Sequence, residues 1–322
     1  MRAPRPSLLV VRPGSTIRAL VGLLVATLVT ASCSSVAAPS SSTAGARDDP
    51  IPVVASTNVW GDIAAQIGGP RVDVRSLISD PSQDPHTYQP SGRDELAVSR
   101  AAVVIENGGG YDDVIAGMVR AAGSDPIVVT AVDVAKAAAS DIPITDNEHV
   151  WYDLDAVAAV ADRLAEEFTK LDSAGRSEFQ GNLAELRLRL DPLRDALGRI
   201  GQHHPHAAVA VTEPLPLYLT ESAGLDNVTP EAFSEAVEEG VDVTPAQLSQ
   251  VLALFTDHRV DALVYNDQST SAQTDRVHAA AEQNGIPVVP VSELLPAGEH
   301  YQDWMRATID RLAAALDRVE QQ

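Results

Sequence analysis

The sequence predicts an α/β protein of two halves joined by a long helix. Three observations carry this. Strand-like and helix-like segments alternate from Ile51 onward, which implies a parallel sheet covered by helices on both faces. Two long helical stretches, at about 153–171 and 177–200, interrupt the alternation, which then resumes. Finally, 322 residues that are 45% hydrophobic but only 4% aromatic give enough chain for two domains, with small apolar residues where helices lie on sheets.

In the first half, "IPVVAS" from Ile51 is a buried-strand run. A helix follows, with Thr57 as N-cap and Gly68-Gly69 as the stop. "VDVRSLI", the start of "AAVVIENGGG" and "IVVTAV" read as three further strands, with helical patterns at 94–100 and 112–122 between them. Val157, Val160, Ala161, Leu164, Phe168 and Leu171 then recur at helical spacing. Leu183, Leu186, Leu190, Leu193 and Leu197 mark the second long helix, and Pro192 inside it predicts a kink or break near Asp191. In the second half "AAVAVT", "VDALVYN" and "IPVVPV" are strands. Helices are expected at 214–223, from Thr244 as N-cap with Pro245 at the first position, at 270–284, and over "YQDWMRATIDRLAAALDRV". The expected division is a first lobe at 51–172, a linking helix at 173–202 and a second lobe at 203–322.

The N-terminus reads as an export signal over residues 1–32. Arg2, Arg5, Arg12 and Arg18 are unopposed, and "ALVGLLVATLVTA" is an apolar core too brief for a membrane span. Small residues before Cys33 in "TASCSS" resemble a bacterial lipobox, although Thr30 stands where leucine is usual. The alternative is an ordinary signal peptide with an incidental cysteine. Cys33 is the single cysteine, so there is neither a disulfide framework nor a multi-thiolate metal site. Residues 33–50 are Ser/Ala-rich and read as a flexible tether. The expected location is outside the cytoplasm, anchored to the membrane through a lipid on Cys33. A formal net charge of −22 argues against nucleic acid as a partner, because a phosphate backbone needs a basic footprint.

Eight histidines are candidates for chemistry. His86 sits in "SDPSQDPHTYQPSGRD", a proline-braced loop after a strand, and His149 lies just before the first long helix. His203, His204 and His206 cluster in "GQHHPH" at a helix-to-strand connection, and such a cluster binds metal loosely at best. His258, His278 and His300 receive no role. Among the acids, Glu213, Asp267 and Glu293 each follow a strand, where helix capping is the ordinary role of a carboxylate. Two histidines and two carboxylates on strand-end loops of two halves would also form a cage for a divalent ion. Imidazole with carboxylate suits Mn²⁺, Zn²⁺ or Fe²⁺, and the absence of thiolate argues against a soft-metal site.

Several segments together carry a family resemblance: "ASTNVWGDIAAQIGG", "DPHTYQPSGRDELAVSRAAVVIENGGGYD", "EHVWYDLDAVAAVADRLAEE", "VAVTEPLPLYLTESAGL" and "GIPVVPVSELLPAGEHYQDWM". The chain resembles the zinc/manganese-type substrate-binding lipoproteins of bacterial ABC metal importers, the TroA-like metal-binding family, from about Val53 to Leu316. The resemblance implies two α/β lobes, each with a mainly parallel four-stranded sheet, joined by a long rigid helix with the metal in the cleft between them. It implies His86, His149, Glu213 and Glu293 as ligands. Most relatives have aspartate at the position of Glu293, and Asp267 is the fallback. It also implies one Mn²⁺ or Zn²⁺ ion as the transported ligand, a permease and its ATPase as partners, and a monomer. The long His- and acid-rich loop of some zinc-specific relatives is absent.

Three other classes compete with this reading. A metal-dependent hydrolase would keep a coordination position open for water, whereas here four protein groups would fill the shell and no HExxH-like motif is present. A surface adhesin lipoprotein with a structural metal would keep its function without His86. A receptor for organic solutes would want aromatic and Arg/Asn-lined pockets rather than paired His and Glu.

Overall fold

The computed structural model describes residues 49–80, 83, 85–138 and 143–319. The expected export signal, Cys33 and residues 33–48 of the tether lie outside them. The first sheet is built from β1 (Ile51–Thr57), β2 (Val72–Ile78), β3 (Val103–Glu106) and β4 (Ile127–Thr130). Its helices are α1 (Asn58–Gly68), α2 (Gly92–Arg100), α3 (Asp113–Ala122) and α4 (Ala131–Ala137). Two long helices follow, α5 (Leu154–Leu171) and α6 (Arg176–His203). The second half runs β5 (Ala208–Val211), α7 (Leu217–Ser222), β6 (Asp226–Asn227), α8 (Glu231–Glu238), α9 (Pro245–Thr256), β7 (Ala262–Asn266), α10 (Ala272–Gln283), β8 (Val288–Val291) and α11 (Tyr301–Val319).

Both sheets are parallel and share one topology, β2-β1-β3-β4 and β6-β5-β7-β8. Val53 pairs with Val74 on one side and Val103 on the other, as Val209 pairs with Asn227 and Ala262. The central strands are apolar on both faces because helices cover both. α1 lays Val59, Trp60, Ile63, Ala64 and Ile67 into the core at helical spacing. The main apolar cluster is continuous across the halves. It joins Val53, Ile105 and Trp60 to Val211, Val264, Trp304 and the leucine face of α6.

Of the kink or break expected near Asp191, the break does not occur, since α6 runs through Pro192 without interruption. Proline removes one intrahelical bond and crowds the carbonyl four residues back. That residue, Leu188, is 70% exposed, while Leu183, Leu186, Leu190, Leu193 and Leu197 are buried. Burial of the leucine face therefore outweighs the local defect on the solvent side. α4, β6 and α8 lie in segments the sequence pattern left unassigned, and the run "IVVTAV" leaves the sheet after Thr130 to start α4. Among the described residues no helix is long and apolar enough to cross a membrane.

Loop bracing after β2 depends on Asp94. Its carboxylate accepts from Ser91 N at 2.7 Å, Ser91 Oγ at 2.6 Å and Tyr88 Oη at 2.9 Å, while Arg75 donates to the other oxygen at 2.6 Å. Burial pushes this carboxyl up, but the bonds from Ser91 and Tyr88 and the Arg75 charge outweigh it and hold it below its usual 3.8. A depressed folded value means stabilisation that is present above the unfolded value and lost as pH falls through the folded one. Asp94→Asn is expected to be less stable than wild type at neutral pH by about 1 kcal/mol, with the gap closing in acid. Denaturant titrations at neutral and acid pH check this, and a pH-independent gap would contradict it.

Candidate metal centre

The sheets deliver their functional side chains at the carboxyl ends of the strands, where ligands bind in open α/β folds. His86 lies on a 3₁₀ turn, Pro85–Thr87, beyond β2. β3 ends in "ENGGG", where Gly108, Gly109 and Gly110 all take positive φ. A Cβ at Gly108 would collide with Thr130 Cγ2, so the turn needs glycine there for space as well as for conformation. Asp112 closes the turn by accepting from Asn107 N at 2.6 Å and Gly108 N at 2.8 Å. The turn presents Tyr111 edge-on to His86, with ring centroids 4.9 Å apart.

His149 is fully buried. Its Nδ1 meets Asn147 Oδ1 at 2.7 Å, and the same oxygen accepts His149 N at 3.1 Å. An amide oxygen only accepts, so Nδ1 carries the proton and the Nε2 lone pair faces the cleft. Asn147 Nδ2 donates to Pro214 O at 3.0 Å, which links the His149 loop to the segment bearing Glu213. Asn107 Nδ2 holds the same loop through Glu148 O at 2.9 Å.

From the second sheet come Glu213 after β5, Asn266 at the end of β7 and Glu293 after β8. All three are nearly inaccessible to solvent. Asn266 Nδ2 donates to Glu213 Oε2 and, at 3.1 Å, to Glu293 Oε1. Tyr111 Oη donates to Glu293 Oε2 at 3.0 Å, and His86 Nε2 lies 3.7 Å from that oxygen. The structure thus sets His86, His149, Glu213 and Glu293 around one cleft. Asp267 is placed differently: it is exposed, its N–H bonds Val291 O, and Arg311 is the charge acting on it. Glu293, not Asp267, stands beside His86.

One carboxylate in the cleft escaped the sequence reading. Glu238, the last residue of α8, places Oε1 3.2 Å from His86 Nε2 and 3.4 Å from His149 Nε2. Among the described residues, His86, Glu148, His149 and Glu238 form the one group of His, Cys, Asp and Glu with metal-ligand spacing, their ligand atoms within 4.8 Å of one another. The signal was faint but physical. "VEEG" puts two acids at a helix C-terminus, where the helix dipole disfavours negative charge. The His203–His206 cluster does not assemble in this way. His204 Nε2 pairs with Asp317 at 2.9 Å and His206 Nδ1 with Asp226 at 3.3 Å.

The electrostatics are those of crowded carboxylates. Burial, together with the charges of Glu238 and Glu293, pushes Glu213 up to about 8 despite its bond from Asn266. Burial likewise raises Glu293. Burial would raise Glu238 too, but its contacts with His149 and His86 outweigh this and hold it at about 2. His149 Nε2, Glu213 Oε1 and Glu238 Oε1 are buried with no hydrogen bond of acceptable geometry.

Comparison with known proteins agrees with this architecture. The chain is 22% identical over 284 residues to the manganese ABC transporter substrate-binding lipoprotein PsaA of Streptococcus anginosus, covering 83% of this chain and 89% of that one. It is 20% identical over 320 residues to the iron ABC transporter substrate-binding lipoprotein MtsA of Streptococcus pyogenes serotype M1, covering 94% and 99%. The fold matches the periplasmic zinc binding protein TroA from Treponema pallidum with a TM-score of 0.69 at 17% identity, over 83% of this chain and 99% of that one. The family model for ZnuA, zinc-uptake complex component A, periplasmic, matches residues 53–315. Two parallel four-stranded lobes, a long helix between them and this match over most of the chain place the protein in the ZnuA family.

Proposed function

We propose that this protein captures one divalent transition-metal ion, Mn²⁺ or Zn²⁺, between its two lobes and delivers it to an ABC importer. His86, His149, Glu213 and Glu293 hold the ion. The observation that carries this reading is the set of buried ligand atoms without hydrogen-bond partners, His149 Nε2 and Glu213 Oε1 foremost. An unsatisfied buried polar atom costs about 1–3 kcal/mol, and a cation held between these side chains would satisfy them. Neutral imidazoles with ionised carboxylates are the donor set such an ion needs.

The role is capture rather than catalysis: four protein donors leave no position reserved for a reacting water. Membership of a family of transporter components, with relatives named for manganese and iron transport, supports delivery to a permease and its cytoplasmic ATPase. A lipid on Cys33 would hold the monomeric receptor at the outer face of the membrane, near that permease.

Metal analysis of the purified chain, followed by competitive Mn²⁺/Zn²⁺ titration, tests the proposal. One equivalent per chain is expected, with binding lost or weakened by orders of magnitude in His149→Ala and in His86→Ala. Unchanged binding in both variants would sink the assignment. Asn147→Ala removes the group that fixes the His149 tautomer, so its affinity should fall about 10–100-fold while its circular dichroism stays that of wild type. Wild-type affinity in that variant would show that the tautomer lock is irrelevant.

A further inference from the structure

Glu238 is in the wrong place for a structural acid. It ends α8, where the helix dipole opposes negative charge, and Glu239 follows it. Its Oε1 is buried without a hydrogen bond of acceptable geometry, although it lies 3.2 Å and 3.4 Å from two imidazole nitrogens. One of those, His149 Nε2, is itself fully buried and unpartnered, with its lone pair aimed into the same space. Among the described residues, no lysine or arginine lines the cavity beside His86 and Glu238. Glu238 also stands at the edge of a cavity of about 480 Å³ that is lined by Glu239, Asp242, Gln268 and Ser269 as well as His86. Glu239 and Asp242 are exposed, so the cavity reaches solvent with an acidic rim.

We propose that Glu238 is a further ligand of the captured ion, supplied by α8 at the solvent side of the site, so that two imidazoles and three carboxylates surround the metal. This rests on the metal-capture reading above and extends its ligand set. Its chemical consequence is selectivity. Zinc is satisfied by four ligands in a tetrahedron, whereas a set richer in oxygen and larger in number suits Mn²⁺. Glu238 therefore narrows the intrinsic advantage of Zn²⁺ over Mn²⁺. With His86 it lines the acidic vestibule, so an incoming ion meets these two side chains before the buried His149, Glu213 and Glu293.

The test is a pair of titrations, Mn²⁺ alone and Zn²⁺ alone, on the full mature chain of wild type, Glu238→Gln and a control, Glu231→Gln, at the exposed start of the same helix. Glu238→Gln should lose ~10-fold or more in Mn²⁺ affinity and distinctly less for Zn²⁺, so the Mn²⁺/Zn²⁺ ratio falls. The visible spectrum of bound Co²⁺ should shift towards that of a lower-coordinate site, and Glu231→Gln should match wild type in all of this. Unchanged affinities in Glu238→Gln overturn the inference. So does an equal loss for both ions with an unchanged Co²⁺ spectrum, which would assign Glu238 a general electrostatic role. Wild-type chain that binds neither ion overturns the metal-capture reading itself, a result separable from failure at Glu238 alone.

Discussion

Three carboxyl groups crowded with two imidazoles in one largely buried cleft are the constraint around which the molecule is arranged. Glu213, Glu238 and Glu293 face one another and two imidazoles. Each carboxylate loses hydration on burial, and their mutual repulsion adds to that cost. Asn266 spans Glu213 and Glu293 with one amide, and Tyr111 donates a hydroxyl to Glu293. These neutral donors reduce the cost without cancelling the charge. A cation partner of the arginine or lysine kind would neutralise the cluster permanently and leave nothing for an ion to gain.

Such a site needs walls that do not relax to relieve it. The lobes are tied together by directed bonds near the cleft: Asn58 exchanges bonds with Leu295 at 2.7 and 3.0 Å, Tyr152 Oη donates to Ser292 O at 2.8 Å, and Tyr301 Oη donates to Trp151 O at 2.6 Å. Trp60, Trp151, Tyr152, Tyr301 and Trp304 are all buried behind them, so all three tryptophans belong to the apolar cluster that the halves share. With one continuous apolar cluster and α6 across its back, lobe separation would expose core. This favours small adjustments of loops over wide domain opening. The His86 turn and α8, both more exposed than the buried carboxylates they approach, are the elements best placed to adjust.

Legibility in the sequence followed the strength of each local signal. Strands buried on both faces, such as β1 and β7, are continuous apolar runs and stand out. α9 announces itself through Thr244, Pro245 and Gln247, and the structure shows the Thr244–Gln247 bonds. α8 does not, because "EAFSEAVE" has no capping side chain and buries only Phe233 and Ser234. Missing the helix meant missing Glu238. Pro192 does not end the helix: its local penalty is real, but the buried leucine stripe of α6 is a sum over many contacts and prevails.

By itself, the sequence determined the alternation that makes two parallel sheets, the strand-end positions of His86, Glu213 and Glu293, and the proline- and glycine-rich turns that present them. Those features are local, because periodicity and backbone restriction act over a few residues. Tertiary structure alone decided which acids meet. It turned Asp267 to solvent and Glu293 inward, fixed the His149 tautomer through Asn147, and brought Glu238 against two histidines distant in sequence. Convergence of this kind depends on how two sheets and their helices pack across the cleft, and no stretch of chain a few residues long records it.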